Sequence, residues 1–371
     1  MATNSPPLVS ILCLAYNQKD FIRQTIEGFL MQKTNFPVEI LINDDASSDG
    51  TKEIIEEYAS KNDNVVGVFH QTNCYSSGER NLLIRYLLPK VQGRYIAVCD
   101  GDDMWTDPEK LQQQVDFLEE NPDYSLVFHS VDVIGDQENA VIETVPKNTD
   151  DLFLWRLVQD NFIPSNSVVY RAHDDYSQMP TDFMPGDWYL HIFHARFGKI
   201  GFIDKSMAIY RTHSGGIWHG SSSPDLLFWQ RYAQLQLNFF REVKLLLADD
   251  DIENRSWVDR AECILILNIV NFYRNFGNDE IFFTNFFRTN SEALVRGLSS
   301  LSDQLEDARV QILKEADAYR LSREELARKD DLLSVLESER DQMLATHPHG
   351  ATYPLHAAKD KFDRLLRRSH D

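Results

Sequence analysis

The sequence predicts an α/β protein in which a doubly wound, mostly parallel sheet is followed by a helical C-terminal region. Three observations support this prediction. Through the first hundred residues, short apolar runs alternate with amphipathic segments of helical period, which is the pattern of βαβ units. From about Pro224 onward, amphipathic helices follow one another without an intervening strand pattern. The last of these segments carries a seven-residue apolar repeat, which is typical of a coiled coil.

The elements of the sheet follow in order along the chain. Nearly continuous apolar runs indicate strands covered on both faces, and they lie at residues 8–14, 38–43, 65–69 and 95–99. Between them, apolar residues at helical spacing predict helices at 19–32, 52–60 and 79–88. Farther on, the patterns predict helices at 108–120 and 151–159, a helix that opens within 184–190 and runs to about 197, and strands at 125–133, 167–171, 199–203 and 207–211.

The C-terminal part is predicted to be helical throughout. We expect amphipathic helices at 226–247, 256–276 and 280–296, then a coiled coil at 298–345. The heptad repeat favours a homo-oligomer over a lone helix packed on its own domain. The tail at 346–371 combines lysines and arginines with apolar residues, so it is a candidate for peripheral membrane contact; a frayed, solvated tail is the more ordinary outcome.

Composition limits the function. The chain has 371 residues, 43% of them hydrophobic, which is enough for a large packed core. Its formal net charge of -21 argues against nucleic-acid binding, because the phosphate backbone would be repelled. The four cysteines show no CxxC pairing and suit a reducing compartment. Without a signal-like N-terminus or a long apolar run, we expect a cytoplasmic protein, at most peripheral to the inner face of the plasma membrane.

An acidic loop after the fourth predicted strand is the most informative stretch. Asp100, Asp102 and Asp103 follow the apolar run directly, and ligands of open α/β sheets bind at the carboxyl ends of the strands. Three neighbouring carboxylates repel one another unless a cation lies among them, and a hard divalent cation prefers oxygen ligands. Gly101 lets the loop turn tightly. The alternative is a solvated turn that caps the next helix, a role that we expect for Asp107.

Four motifs occur in order along the chain: residues 44–51, the acidic tip at 100–103, Trp105 to Leu111, and Gly186-Asp187-Trp188. Together they resemble glycosyltransferase family 2, with its GT-A fold. The resemblance covers roughly the first 220 residues and is specific only as a combination. It implies an inverting transfer of a sugar from a UDP-, dTDP- or GDP-sugar to an acceptor hydroxyl, assisted by Mn²⁺ or Mg²⁺.

The resemblance also implies a domain organisation. Residues 1–222 would form the GT-A catalytic domain, with a nucleotide-binding half at 1–107 and an acceptor-binding half at 108–222. A helical domain would follow at 223–297, then the predicted coiled coil at 298–345 and the tail at 346–371.

The resemblance assigns roles to the acidic tip. Asp103 is the first candidate for direct metal contact and Asp102 the second. Asp100 matches the position that faces the ribose and the metal, and with Gly101 and Asp102 it belongs to the expected nucleotide-sugar site.

Other residues are expected to bind the donor. Asp44 and Asp45 match the paired acids that read the base, where a carboxylate can accept a hydrogen bond from a ring nitrogen. The backbone and aromatic ring at the exit of the first strand would approach the base, through Ala15, Tyr16 and Asn17. Arg80 lies where related enzymes place a cation beside the nucleotide. For Arg80, a solvated arginine in a first helical turn is the alternative.

Inversion requires a base that takes the proton of the acceptor hydroxyl, and Asp187 is the candidate. It precedes a predicted helix, whose N-terminus would keep it ionised, and Trp188 would help exclude water. The alternative is a plain helix cap. The usual family pair is Glu-Asp, whereas here Gly186 precedes Asp187 and leaves one carboxylate for the reaction.

Three histidines need separate interpretations. His213 lies in a glycine-containing loop that related enzymes close over the diphosphate, so it is a candidate metal ligand; an ordinary surface histidine is the alternative. His191 and His194 are three residues apart on one helix, and we expect packing or acceptor-side roles for both rather than a metal pair.

Two other functions remain open. A sugar nucleotidyltransferase would need a glycine-rich, lysine-bearing phosphate loop, which residues 15–17 do not provide. A non-catalytic scaffold with a GT-A-like sheet could oligomerise through the coiled coil, although Asp103 and Asp187 argue against it. The favoured prediction is a single-addition enzyme of bacterial-type surface polysaccharide or glycoconjugate assembly, with a saccharide, lipid-linked or protein acceptor.

Overall fold

The computed structural model describes residues 5–135, 152–173, 176–213, 216, 226–247 and 252–276, together with positions 286, 288–293, 295 and 338. The chain divides into two units, Met1–Leu301 and Ser302–Asp371, and every element named below belongs to the first. The predicted coiled coil and basic tail lie outside the described residues, apart from Ser338, so the oligomer and the membrane contact stay predictions. Among the described helices, none is both long and apolar enough to span a bilayer.

The N-terminal half of the sheet is parallel, as predicted. Its strands are β1 Val9–Ala15, β2 Val38–Asp44, β3 Val65–Phe69 and β4 Tyr95–Val98. Helices α1 Ile22–Leu30 and α2 Thr51–Lys61 connect the first three strands. Strand β1 pairs in parallel with β2 and β4, and β2 pairs in parallel with β3. The carboxyl ends of these strands therefore meet at one edge, which carries the acids predicted to bind donor and metal.

The other half of the sheet is mixed rather than mostly parallel. Its strands are β5 Met104–Trp105, β6 Tyr124–Gly135, β7 Val169–Arg171 and β8 Lys199–Thr212, and its helices are α3 Lys110–Glu120, α4 Leu154–Gln159 and α5 Gly186–Ala195. Strand β7 is antiparallel to β4 and β6, whereas β6 and β8 are parallel. The described strands form one sheet in the order β3-β2-β1-β4-β7-β6-β8-β5, which confirms the predicted α/β class.

Two hydrophobic clusters cover the two faces of the sheet. Because side chains alternate along a strand, Ile11 and Cys13 of β1 pack in the cluster of α1 and α3, while Leu12 packs in the other. The second cluster includes residues of α5 and of two longer helices, α6 Leu226–Leu246 and α7 Ile252–Phe276. The described helices of the predicted 223–297 domain therefore share a core with the sheet.

Three elements differ from the sequence-based prediction. The helix expected at 79–88 is a π-helical turn, Leu83–Leu87, followed by a 3-10 turn, Leu88–Lys90, because Pro89 cannot donate the hydrogen bond of an α-helix. The two strands expected at 199–203 and 207–211 form the single strand β8, which passes its polar middle with a register shift against β6. Strand β5 was not predicted, since a pair of residues carries no periodicity.

Candidate active site

The acidic tip leaves β4 at the carboxyl edge of the sheet and is held by α1 and β1. The N–H of Gly101 donates to Leu14 O at 2.8 Å. Gly101 is needed for close approach, because a Cβ at this position would overlap Gln18 Oε1. The Thr25 hydroxyl lies 2.9 Å from Gly101 O and 2.6 Å from Asp103 O. These contacts fix the loop from which the tip carboxylates project.

Asp103 is the most buried acid of the tip, with 1% of its surface exposed. Its Oδ1 accepts the backbone N–H of Arg211 at 2.8 Å, while its Oδ2 is buried and has no hydrogen-bond partner among the described residues. Burial, and then the charge of Asp102, raise the pKa of Asp103 well above its ordinary value. A buried carboxylate oxygen without a partner is costly, so this atom is well suited to bind a cation.

The other two tip acids add to the same concentration of negative charge. Asp102 Oδ2 lies 3.1 Å from His213 Nε2, and the His213 ring packs 5.0 Å from the ring of Phe21. Asp100 is partly buried, and burial raises its pKa to about 8, with further contributions from the charges of Asp102 and Asp187. The structure thus brings the predicted metal ligands Asp102, Asp103 and His213 to one end of the sheet.

These side chains fit a hard divalent ion. Within the described part of the chain, no group of three or more His, Cys, Asp or Glu side chains is arranged to hold a metal ion by itself. An ion such as Mg²⁺ needs fewer protein ligands where phosphates are handled, because one or two carboxylates and the phosphate oxygens of the substrate share its shell. Asp102 and Asp103 supply such a pair, and His213 stands beside Asp102.

Arg211 of β8 holds the tip in place, a role that was not predicted from the sequence. Its Nη1 donates to Asp102 O at 2.7 Å and its Nη2 to Gln24 Oε1 at 2.5 Å. Its guanidinium carbon lies 5.4 Å from the centroid of the Phe21 ring. Together with its backbone N–H on Asp103, these contacts tie β8, the tip and α1 together. The sequence did carry one indication of this role, because Arg211 is a cation near the end of a predicted strand and the acidic tip needs a cation beside it.

Trp105 and Lys110 anchor the chain where it leaves the tip, and both are almost completely buried. The Lys110 Nζ lies 4.0 Å from the centroid of the Trp105 ring and donates to Gln114 Oε1 at 2.8 Å. The Trp105 Nε1 donates to Asn166 O at 2.9 Å. Burial lowers the pKa of Lys110 to about 7. Asp107 Oδ1 accepts the N–H of Glu109 at 2.8 Å, but α3 begins at Lys110 with Glu109 as its N-cap. Asp107 therefore closes the turn before the helix, and the prediction that it caps the helix was wrong.

Asp44 and Asp45, at the end of β2, differ in their contacts. Asp44 is fully buried; its Oδ2 accepts the N–H of Ser47 at 3.1 Å, and its Oδ1 has no partner among the described residues. Asp45 accepts the N–H groups of Cys74 at 2.7 Å and Tyr75 at 3.0 Å. Asp44 therefore keeps a free acceptor, whereas Asp45 holds the loop that follows β3.

The exit of β1 lies beside these acids, where we predicted contact with the base. Ala15 O accepts the N–H of Asp45 at 3.0 Å. The backbone of Asn17 has a φ of 51°, and its N–H donates to Ser47 Oγ at 2.9 Å. Tyr16 is 47% exposed, so its ring is accessible to a ligand at this edge.

Arg80 lies in the loop that Asp45 holds and is partly buried, in contrast to a solvated surface arginine. Its guanidinium carbon lies 4.4 Å from the centroid of the Tyr75 ring, and its Nη1 donates to Tyr75 O at 2.6 Å. Its buried Nε has no partner within the described part of the chain. The structure therefore gives Arg80 a packed position, and its contact with the nucleotide stays a prediction.

Asp187 lies in the first turn of α5, which begins at Gly186, rather than just before the helix as predicted. Burial raises the pKa of Asp187, while hydrogen bonds from the backbone of Trp188 and of Asp187 itself act in the opposite direction. Asn161 Nδ2 lies 3.4 Å from Asp187 Oδ2. The Trp188 Nε1 donates to Leu157 O at 2.6 Å, and its ring packs 4.8 Å from that of Phe239 in α6. The side chain of Trp188, the residue after Asp187, is therefore fixed by contacts with α4 and α6.

Tyr210 of β8 lies within electrostatic reach of both the tip acids and Asp187. Burial raises the pKa of the Tyr210 hydroxyl, and four carboxylates contribute further, those of Asp103, Asp100, Asp187 and Asp102. All four charges therefore act on one phenol. Tyr210 was not predicted as a site residue, because a tyrosine within a strand pattern resembles an ordinary packing residue.

His191 and His194 are fully buried and hydrogen-bonded within the protein. The His191 Nδ1 lies 2.6 Å from the Tyr170 hydroxyl, and its Nε2 lies 3.1 Å from Ile163 O. The His194 Nδ1 lies 2.8 Å from Leu190 O, and burial lowers the pKa of both rings to about 3. With both nitrogens of His191 engaged, the packing interpretation fits the structure better than a metal pair.

Comparison with known proteins agrees with this geometry. Residues 10–214 match the family described as Glycosyl transferase family 2. The chain belongs to this family. The matched segment begins in β1 and ends just after His213, so it contains the tip, Asp187 and Arg211.

Three similar proteins illustrate the range of the family. An uncharacterized protein of Mycobacterium tuberculosis (strain ATCC 25618 / H37Rv) is 41% identical over 224 residues, which are 60% of this chain and 64% of that protein. TuaG of Bacillus subtilis (strain 168), assigned to teichuronic acid biosynthesis, is 36% identical over 32% of this chain and 44% of its own. The Escherichia coli UDP-Glc:alpha-D-GlcNAc-diphosphoundecaprenol beta-1,3-glucosyltransferase WfaP is 38% identical over 30% of this chain and 41% of its own. This chain therefore spans less than two thirds of each relative.

Solved structures share the fold. The 1–349 part of S. aureus TarS in complex with UDP superposes with a TM-score of 0.52 at 17% identity, covering 81% of this chain and 82% of that one. The same part in complex with UDP-GlcNAc gives a TM-score of 0.50 at 18% identity, covering 78% and 79%. The fold is therefore the GT-A fold of glycosyltransferases that the resemblance implied.

Proposed function

We propose that the chain is an inverting, metal-dependent glycosyltransferase that moves a sugar from a nucleoside-diphosphate sugar to an acceptor hydroxyl. The observation that best supports the proposal lies at the tip, where the buried Oδ2 of Asp103 has no hydrogen-bond partner among the described residues. The effect of the tip acids and of Asp187 on the pKa of Tyr210 is consistent with a common site. Inverting transfer needs two functions, stabilisation of a departing diphosphate and deprotonation of the acceptor. The tip acids suit the first and Asp187 suits the second.

The donor would lie across the carboxyl ends of β1, β2 and β4. Asp44 Oδ1, buried and without a partner among the described residues, would accept a hydrogen bond from a ring N–H of the base, and the exposed Tyr16 ring would pack against it. Asp100 would face the ribose. Because TarS of the same fold is solved with UDP and UDP-GlcNAc, uridine donors come first in a screen that also includes dTDP- and GDP-sugars.

Asp102 and Asp103, with His213 beside them, would hold Mn²⁺ or Mg²⁺. When bound, such an ion neutralises the negative charge that develops on a departing diphosphate. Arg211 keeps the loop that carries both acids in place through its bonds to Asp102 O and Asp103 Oδ1. The donor and the acids are thereby oriented before the reaction begins.

Asp187 would act as the general base. Its carboxylate takes the proton of the acceptor hydroxyl as the acceptor oxygen bonds to the anomeric carbon. The bond from that carbon to the donor phosphate breaks, and its electron pair leaves with the nucleoside diphosphate. Attack from the opposite face inverts the anomeric configuration. The raised pKa of Asp187 brings this base closer to neutral pH, where proton transfer is most effective.

The relatives suggest where such a reaction belongs. TuaG is assigned to teichuronic acid biosynthesis, and the name of WfaP specifies a lipid-diphosphate-linked sugar as acceptor. We therefore place this chain in bacterial-type surface polysaccharide or glycoconjugate assembly and take a lipid-linked saccharide as the first acceptor to test. Free saccharide and protein acceptors are the other outcomes. A cytoplasmic enzyme whose 346–371 tail touches the inner membrane face would meet such an acceptor there.

A donor screen followed by a product analysis tests the proposal. Nucleotide sugars are first screened for thermal stabilisation of the protein with Mn²⁺ and with EDTA, since a donor at 100 times its Kd adds about 2.7 kcal/mol to the folded state. Stabilising donors are then incubated with lipid-linked and free saccharides, and the anomeric configuration of the product is read by NMR. Release of nucleoside diphosphate with an inverted product is expected. Retention of configuration, pyrophosphate-dependent nucleotidyl transfer, or no response to any donor would each overturn the proposal.

A further inference from the structure

Asn81 connects the donor side of the fold with the segment that carries Asp187. Its Nδ2 donates to Thr181 O at 3.1 Å and to Phe183 O at 2.9 Å. Those two carbonyls lie in the segment that leads to α5, which begins at Gly186 and carries Asp187 in its first turn. One amide group thus fixes the backbone that leads into the predicted base. The residue lies about one hundred positions away in sequence, so the contact is purely tertiary.

The same side chain also occupies the space beside Gly186. A Cβ at Gly186 would overlap Asn81 Oδ1, so any larger residue there would displace the amide or α5. Gly186 immediately precedes Asp187, and its lack of a side chain is what admits Asn81 so close to the start of the helix. The amide of Asn81 therefore fills the space that a side chain at position 186 would otherwise occupy, so the two residues are complementary in size.

The position of Asn81 is itself fixed. It has a φ of 51°, an uncommon value for a residue other than glycine, which marks a backbone held by its surroundings. Its carbonyl accepts the N–H of Arg85 at 3.1 Å, and Arg85 Nη2 donates to Thr181 Oγ1 at 2.7 Å. A second contact thus joins the same two segments beside the Asn81 amide.

The loop of residues 73–81 is also attached at its other end. Asp45 accepts the N–H groups of Cys74 and Tyr75, and Arg80 packs over the Tyr75 ring. The Tyr75 hydroxyl lies 3.3 Å from Met184 Sδ, in the segment that Asn81 holds. This loop therefore joins the end of β2 to the start of α5 through polar contacts at both ends.

We propose that Asn81 is a positioning residue for Asp187, which it holds at the productive place through the 181–183 backbone and its fit against Gly186. The inference rests on the proposed function, because it assigns Asp187 a role in the reaction. Asn81 touches neither the carboxylate nor the substrate in this scheme. Its effect is expected on kcat rather than on donor binding, since misplacement of a reacting group by about 1 Å costs up to about 100-fold in rate.

Kinetics of three variants test this. Asn81→Ala removes both amide bonds and should lower kcat on the order of 10- to 100-fold, with the donor KM and the donor-induced thermal shift unchanged within about twofold. Gly186→Ala should lower kcat about tenfold further than Asn81→Ala, because its Cβ overlaps the Asn81 amide and displaces the start of α5. In the double variant the shortened side chain makes room for that Cβ, so kcat should exceed that of Gly186→Ala by about tenfold, the effect of relieving one overpacked contact. Asn73→Ala is the matched control, since the hydrogen bonds of Asn73 to described residues stay within the same loop, to Ser76 and Ser77, and this variant should keep wild-type kcat.

Hydrogen exchange of residues 181–195 gives a readout that does not depend on turnover. Faster exchange there in Asn81→Ala, but not in Asn73→Ala, is expected. An unchanged kcat in Asn81→Ala, or a parallel loss of kcat, donor binding and melting temperature without rescue in the double variant, overturns the positioning role. If the wild type transfers no sugar from any donor, the proposed function fails, and the exchange data alone decide whether Asn81 holds the segment: unchanged exchange refutes it and faster exchange supports it.

Discussion

Replacing Asp100 with asparagine should stabilise the metal-free protein. Burial, helped by Asp102 and Asp187, raises the pKa of Asp100 from 3.8 to about 8. Between these values the folded chain keeps a proton that the unfolded chain has released. The free energy of unfolding of the wild type therefore falls as the pH rises through this window, and the loss is complete above about pH 8. Asparagine does not titrate, so the variant lacks this loss.

The size of the effect follows from the pKa shift. At pH 7 the wild type has passed about three pH units above 3.8, and each unit corresponds to about 1.4 kcal/mol, which gives about 4 kcal/mol. The side chain is partly exposed, so water screens part of the repulsion and we expect about half of this, roughly 2 kcal/mol. For a unit of this size, such a gain raises Tm by roughly 4 °C.

Urea denaturation in EDTA at several pH values between 4 and 8 measures this directly. The gap between Asp100→Asn and the wild type should widen with pH, and added Mn²⁺ should stabilise the wild type more than the variant. Asp63→Asn is the matched control, because Asp63 is exposed and its replacement removes the same formal charge. If Asp100→Asn and Asp63→Asn follow the wild-type profile equally, the tip does not store electrostatic repulsion and our reasoning about its cation is wrong.

Three further predictions concern residues around the tip. Asp187→Asn should lower kcat by about 10²- to 10⁴-fold with an unchanged donor-induced thermal shift. The kcat of the wild type should fall as the pH drops through the raised pKa of Asp187, because the base must be ionised. A flat pH profile or a fully active variant would argue against a base at this position. Arg211→Met should raise the Mn²⁺ concentration needed for half-maximal activity, or lower kcat, by about 10- to 100-fold. A metal titration of activity measures both quantities, and a titration curve identical to that of the wild type would exclude the bracing role. Between pH 7 and 10, unfolded Lys110 binds a proton that folded Lys110 has released, so the free energy of unfolding of the wild type should rise with pH. Lys110→Met should remove this rise. Parallel urea-denaturation profiles of the two proteins would show that Lys110 stays charged.

The sequence predicted those features that depend on local pattern. Continuous apolar runs indicated the parallel strands, and the acids that follow them had to meet at one edge because parallel strands share a direction. Asp103 and Asp187 were found in this way, one after a strand and one before a helix. The structure places both near Tyr210, as a common site requires.

What the sequence could not predict depends on contacts between distant segments. Arg211 and Asn81 have ordinary sequence surroundings, and their importance comes from partners about one hundred positions away. The antiparallel insertion of β7 between β4 and β6 was equally hidden, since its three residues carry no directional signal. Asp45 resembled Asp44 in the sequence, yet only the structure shows that its oxygens are engaged by the loop after β3.

The packing of α6 against Trp188 limits how this enzyme can be modified. Phe239 and Phe240 pack against the ring of Trp188, the residue after Asp187, and both belong to the same core as Leu12 of the sheet. Truncating the chain after residue 222 would remove α6 and expose the hydrophobic residues that it covers, and such a surface promotes aggregation. In chimeras of this chain and its relatives, the described C-terminal helices should therefore be exchanged together with the sheet, as one unit.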